Sequence, residues 1–330
     1  MSDLMNHTFK TYIVGNKEHF LYGETGLSVP PLTQTDLPFT VSLLRMLYLD
    51  LTPVYDLSNA FLRARRKLME TREERYAEEM REHVEALCDH HLYFEITRMD
   101  WRERFKLAAE RHYKDLPGGL LTDLLRERDI TWIPSEIQVM QEQALALTEG
   151  VMDIEGVKVP FRKRFTDYYV RNSGSNTFVF SPRPISYELI DGKDFTEVLY
   201  PRTVYDLIDF YFRECIKREL RARVCKNCQR WFFITGRSTA EYCDATLDVN
   251  GRTCKERGSI RKWTQERSND KVFLPYRREY KRRFAWIRAG CISESRFYAW
   301  SAEARKKKAE CDDGKISLEE FEDWLILISN

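Results

Sequence analysis

No stretch of the 330 residues is long and apolar enough to span a bilayer: the longest, Leu37 to Leu51, carries Arg45 in its middle. The first twenty residues, MSDLMNHTFKTYIVGNKEHF, lack the uninterrupted apolar core of a signal peptide. A Walker loop, a Rossmann glycine pattern, G-x-S-x-G and H-E-x-x-H are all missing. Glu188, Asp191 and Lys193 gather after a strand-like run, but without hydrolase spacing. These absences exclude the readable enzyme classes. They set the expectation of a soluble cytoplasmic protein with reduced thiols, in which clustered cysteines bind metal more readily than they form disulfides.

The chain has almost no net charge, +1, and 43% hydrophobic residues, enough for ordinary globular cores. The charge is unevenly spread. Residues 216 to 310 hold 25 Lys and Arg against 11 Asp and Glu, a net of +14. That leaves 28 of the 53 basic and 41 of the 52 acidic residues elsewhere, a net of −13. Such asymmetry points to a polyanionic partner for the C-terminal third, or to attraction between the protein's own acidic and basic parts.

Periodicity predicts a mainly α fold with small β elements (α+β). A mainly helical N-terminal domain spans 1–200, a connector helix 201–220, a zinc finger 221–270 and C-terminal helices 271–330. Residues 1–35 read as irregular with a little strand at Thr11 to Val14, and a helix is expected from Asp36 to Asp50. Helices follow at Tyr55 to Phe94, with a stripe of Met69, Tyr76, Met80, Leu87 and His91, then at Trp101 to His112, Leu120 to Arg128 and Pro134 to Glu149. Thr177 to Phe180, Ser186 to Ile190 and Glu197 to Tyr200 are β-type runs, with Asp191-Gly192 as the turn between the last two. Val204, Leu207, Ile208, Tyr211, Phe212 and Cys215 give the next helix a broad apolar face.

The strongest signal is C-x2-C-x14-C-x10-C, formed by Cys225, Cys228, Cys243 and Cys254. The first pair suits a tight knuckle whose two thiolates reach one ion. Trp231 to Ile234 reads as a strand, Gly236 turns it back toward Cys243, and Cys254 opens a helical pattern. A knuckle hairpin followed by a ligand at a helix start is treble-clef-like. Four sulfurs with no open position make a structural rather than catalytic Zn2+ site. A redox Cys-x-x-Cys needs a βαβ setting, whereas an aromatic strand follows here. Cys88, Cys215, Cys291 and Cys311 read as ordinary thiols, and His83, Cys88, His90 and His91 as residues of a charged helix facing solvent.

From about 177 to 330 the chain resembles an uncharacterised bacterial family known only as a domain of unknown function. The resemblance rests on Cys225-Lys226-Asn227-Cys228-Gln229-Arg230-Trp231-Phe232, Gly236-Arg237, Glu241-Tyr242-Cys243-Asp244 and Thr253-Cys254-Lys255-Glu256. Gln229 stands where that pattern has Gly. The finger is more distantly similar to CGNR-type zinc fingers of bacterial transcription regulators, from which it departs by Gly251-Arg252 before the last cysteine. The first resemblance implies no activity; the second implies DNA binding by analogy.

After the finger, Gly290 to Trp300 and Gly314 to Trp324 repeat a G-x-I-S-x3-F-x2-W pattern. Ser293 and Ser317 read as N-caps, Ile292 and Ile316 as staples, and Phe and Trp three apart as one buried face. Asp312 to Ile316 resembles half an EF-hand loop, but Ala309 and Cys311 stand at ligand positions, which rejects calcium. The third tail helix carries Glu319, Glu320, Glu322 and Asp323 and would repel phosphate. The basic surface is expected at Arg277, Arg278, Lys281, Arg282 and Arg283, beside a Tyr276/Tyr280/Phe284 stripe, and at Arg305, Lys306, Lys307 and Lys308. Three readings follow. The first is a zinc-stabilised nucleic-acid-associated protein, in its sharpest form a transcription regulator. The second is a zinc-stabilised adaptor for an acidic protein partner. The third is an enzyme whose site lies in residues 1–200. Neither a membrane partner nor an oligomeric state is read from the sequence.

Overall fold

The computed structural model describes residues 7–25, 31–154, 159–174, 176–245, 251–268 and 270–327. It is a mainly α, α+β fold. Strands β1 (His7–Val14), β2 (Lys17–Glu24) and β3 (Thr33–Pro38) open the chain. Helices α1 (Val41–Leu47), α2 (Thr52–Thr71), α3 (Glu74–Leu87), α4 (Glu95–Glu110), α5 (Gly118–Leu124), α6 (Arg128–Thr131), α7 (Ile133–Leu147) and α8 (Phe161–Arg171) follow. Strands β4 (Ile185–Ile190) and β5 (Asp194–Leu199) precede α9 (Val204–Lys217), and β6 (Arg221–Val224) and β7 (Trp231–Ile234) precede α10 (Cys254–Ser268). Helices α11 (Phe273–Arg288), α12 (Glu294–Asp312) and α13 (Leu318–Leu327) complete it. No helix among the described residues is long and apolar enough to cross a membrane.

By internal contacts the chain divides into two units. The first holds residues 1–224 and 229–240, the second 225–228 and 241–330. The division runs through the β6–β7 hairpin, whose strands fall to the first unit and whose loop falls to the second.

In the first unit the opening segment is a meander, not irregular chain. β1 and β2 pair from His7↔Glu24 to Val14↔Lys17 around the two-residue turn Gly15-Asn16. Gly15 sits at φ +60, the first-position conformation that such turns take from glycine. β3 adds to β2, and β5 and β4 add to β1, giving the order β3-β2-β1-β5-β4. The helix expected from Asp36 begins only at Val41, because Thr33–Pro38 is spent as an edge strand. Pro38 is tolerated at the end of that edge, where no ladder amide is required. Thr177 to Phe180 forms no strand, and α8 was not foreseen. The expected Met69-to-His91 stripe is split between α2, α3 and a short 3-10 turn at Leu92–Phe94.

Helix α9, expected as a connector, lies in the core of the first unit. Leu207, Ile208, Phe210, Tyr211, Phe212 and Cys215 are all buried, in keeping with the broad apolar face read from the sequence. Thr203 and Asp206 close a capping box at its start. Its Tyr211 ring meets Phe20 at 5.5 Å and stacks on Tyr93 at 6.0 Å.

A carboxylate is buried in this apolar setting, beside the buried Thr11, Ser42 and His91. Glu18 of β2 is fully buried and accepts the backbone N–H of Thr40 at 2.7 Å and of Ser42 at 3.2 Å. It thus caps α1, which has no side-chain cap of its own. Thr40 is held at φ 79, a left-handed conformation that is strained for a β-branched residue. Desolvation raises the Glu18 carboxyl to about 7 against the pull of those bonds.

In the second unit α11, α12 and α13 enclose a core of Phe297, Trp300, Ala304, Phe321 and Leu325. The two copies of the repeat meet here, and their serine caps form as expected. Ser293 accepts from the Arg296 amide, and Ser317 and Glu320 form a reciprocal capping box at 3.1 and 2.7 Å.

Candidate metal centre

The β6–β7 hairpin brings Cys225 and Cys228 to its loop, and Cys254 is the first residue of α10. Thr253 caps that helix through a reciprocal pair with Glu256, at 2.8 and 3.2 Å. The segments are locked by backbone bonds: Lys226 N–H to Glu241 O at 3.0 Å, Cys254 N–H to Ala245 O at 2.9 Å and Lys255 N–H to Cys243 O at 3.0 Å. Gly258 is required by close approach, since a Cβ there would lie 2.4 Å from the Tyr242 ring.

All four sulfurs lie within 4.8 Å of one another. A tetrahedron with ligands about 2.3 Å from its centre has edges of about 3.8 Å. The Cys228 and Cys243 sulfurs are 3.7 Å apart, the edge of such a tetrahedron and far from the roughly 2 Å of a disulfide. Two further donors point at sulfur: the Cys243 amide to Cys225 at 3.4 Å and the Asn227 side chain to Cys254 at 3.3 Å. Burial opposes ionisation of Cys225, but the amides of Cys228, Cys243 and Asn227 outweigh it and draw the thiol down to about 7. Burial and the neighbouring Cys225 and Cys228 push Cys243 up. Four thiolates this close repel one another, and a bound cation is what relieves them. The donor set therefore fits a metal ion.

The segment has almost no apolar core of its own. Among the described residues of 241–268, only Cys243, Cys254 and Gly258 are buried. A stretch without an apolar core needs another source of stability, and a metal supplies it.

Gln229 has φ 59, a left-handed backbone conformation that glycine adopts without strain. Gln229→Gly should stabilise the loop by about 0.5–1 kcal/mol. A chelator titration would then release the metal at higher chelator concentration than for the parent chain. An unchanged or earlier release would show that contacts of the Gln229 side chain offset the strain.

The cations expected on one basic face are placed differently from one another. Arg278 and Lys281 are exposed, and Arg282 is exposed but paired with Glu279 at 2.8 Å. Arg277 stacks over Trp263 at 5.3 Å. Arg305 and Lys306 are exposed, whereas Lys307 pairs with Glu310 at 2.8 Å and Lys308 with Asp312. Arg283 is not on that face. It is 6% exposed, bonded to Glu279 at 2.9 Å and to the Leu325 carbonyl at 3.4 Å, and stacked over Trp300. Its position one turn after Glu279 turns it toward α13.

Sequence reasoning missed a second group of cations. Arg252, Lys255, Arg257, Arg261 and Lys262 are exposed at the start of α10 and along it, the helix that begins at the last cysteine. Their signal was the cluster of basic residues on both sides of Cys254. His83, Cys88, His90 and His91 form no metal-binding group among the described residues. His91 is buried, within 3.0 Å of the Ser42 carbonyl.

Residues 191–326 match the model of DUF6076, a family of unknown function. The match runs from the β4–β5 turn into α13 and contains all four cysteines. It agrees with the resemblance carried by the cysteine motif. No curated protein and no solved structure matches the chain.

Proposed function

We propose that the four cysteines hold one structural zinc ion and that the unit it stabilises binds nucleic acid through phosphate contacts. The all-sulfur, closed donor set supports zinc over harder cations. The observation that carries the second half is the exposed cations of α10 and α11, within a segment of net charge +14. Lysine and arginine on helix surfaces neutralise phosphates without reading bases, so the binding is sequence-independent. A transcription regulator is the narrower form of this reading.

The test is a binding assay on the full-length, zinc-loaded protein at several salt concentrations. Micromolar or weaker binding to DNA or RNA is expected, falling steeply with salt because each neutralised phosphate releases a counterion. Charge reversal at Arg261, Lys262, Arg278 and Lys281 should weaken binding and flatten the salt slope while leaving the fold intact, since all four are exposed. No binding at low salt would overturn the reading. The adaptor reading would then take its place, favoured by Ile260 and Trp263 of α10, which leave 50% and 43% of their surfaces in water among these cations.

A further inference from the structure

A recess in the first unit lies where α4, α6 and the starts of α7 and α9 meet, around a cavity of about 320 Å³. Small-molecule sites run from about 300 to 1,000 Å³, so this one has room for a single compact ligand. Four arginines line it, and its carboxylates do not satisfy them all. Asp100 and Asp129 are both taken by Arg104, at 2.8 Å each. Arg126 reaches the same Asp129 at 3.5 Å, and Arg128 only at 4.0 Å. Arg202 spends its backbone amide on Asp206, and its guanidinium makes no ion pair among the described residues. Glu136 is engaged by the Tyr205 hydroxyl. The recess therefore presents guanidinium groups with spare donors. It is also lined by Trp132, which is 55% exposed, whereas Trp101 of the same lining is buried.

Guanidinium forks match phosphate oxygens, and an exposed indole face stacks on a planar base. We propose that this recess binds one nucleotide unit, with the nucleobase against Trp132 and the phosphate held by Arg126, Arg128 and Arg202. The proposal rests on the first unit alone and is independent of the zinc and of the cations of α10 and α11.

Calorimetric titration of the full-length protein tests it, with AMP, GMP, adenosine and inorganic phosphate as probes. AMP and GMP should bind with similar affinity, and adenosine and phosphate at least tenfold more weakly. Trp132→Ala should weaken AMP binding about tenfold or more. The ring is exposed, so the variant keeps its core. Arg126→Glu with Arg128→Glu should abolish AMP binding, while charge reversal at Arg261 and Lys262 should leave it unchanged. A 5′-phosphorylated oligonucleotide that displaces AMP identifies a strand end as the source of the nucleotide; failure to displace it identifies the free nucleotide. The proposal falls if phosphate binds as tightly as AMP, if Trp132→Ala binds AMP like the parent, or if no AMP binds at millimolar concentration.

Discussion

Purified protein is expected to carry about one zinc ion per chain, in all-sulfur tetrahedral coordination with Zn–S distances of about 2.3 Å by X-ray absorption. Cys228→Ser should lose that ion, because three sulfurs and a hydroxyl hold zinc far more weakly than four thiolates. The consequence should be local and large. Structural zinc contributes about 10–16 kcal/mol to the folding of small finger peptides, as much as the whole stability of an ordinary domain. Residues 241–268, whose described side chains bury almost nothing besides two of the cysteines, should lose protection from hydrogen exchange. Helices α11 to α13 should keep theirs, because Phe297, Trp300 and Phe321 form a separate core. Strands β6 and β7 should also persist, since Ala222 and Phe233 are buried in the core of the first unit. Full zinc occupancy in Cys228→Ser would sink the metal assignment. Loss of α11 to α13 together with the finger would show instead that the metal organises the whole second unit.

The second large effect lies in the first unit and depends on pH. Glu18 and His91 both bond to Ser42, the first through its amide and the second at its carbonyl. Arg45 acts on both, lowering each pKa by its charge, and the Tyr93 hydroxyl lies 2.7 Å from that of Ser42. Burial raises Glu18 from 4.5 to about 7, so the folded state holds this proton more tightly than the unfolded chain does. Its stabilising contribution is present below about pH 4.5 and is lost as pH rises to 7, about 3 kcal/mol in all. His91 runs the other way. Burial lowers it from 6.5 to about 4, so stability is lost as pH falls through that window, by a similar amount. Between pH 4.5 and 6.5 the two slopes oppose each other and nearly cancel. Glu18→Gln removes one of them. The stability of the variant relative to the parent should therefore climb by about 3 kcal/mol between pH 4.5 and 7, whatever the fixed cost of the lost cap. Urea unfolding followed by hydrogen exchange in β1 and β2 reads this difference directly. A difference that stays flat with pH would show that Glu18 is ionised throughout, its bonds from Thr40 and Ser42 outweighing burial.

Some of this could be read along the chain and some could not. The cysteine spacing, the strand at Trp231–Ile234 and the helix opening at Cys254 were legible because each depends on residues within one loop or one turn. The serine caps and the Phe-Trp faces of the tail were legible for the same reason: a cap and the helix face it starts are set by neighbours three or four residues away. The opening hairpin carried its own signal in Gly15-Asn16 between two alternating runs, and reading residues 1–35 as irregular overlooked it. Other features have no local signature. Whether Thr33–Pro38 becomes strand or helix is decided by β2, which offers it an edge from Tyr22 to Lys17. Thr11 meets Leu199 only when the sheet closes, and Glu18 becomes a helix cap only when Thr40, 22 residues later, is brought to its carboxylate. Arg283 reads as one more surface cation in a basic run, yet α13 arrives over it and turns it into a buried partner of Glu279. The sequence by itself determined the thiol cluster, the helix starts and the sign of the charge in each part of the chain, because these follow from composition and short spacings. Only the tertiary structure decided which charges are buried, which are left in water and which arginines share one recess with Trp132, because burial depends on segments far apart in the chain.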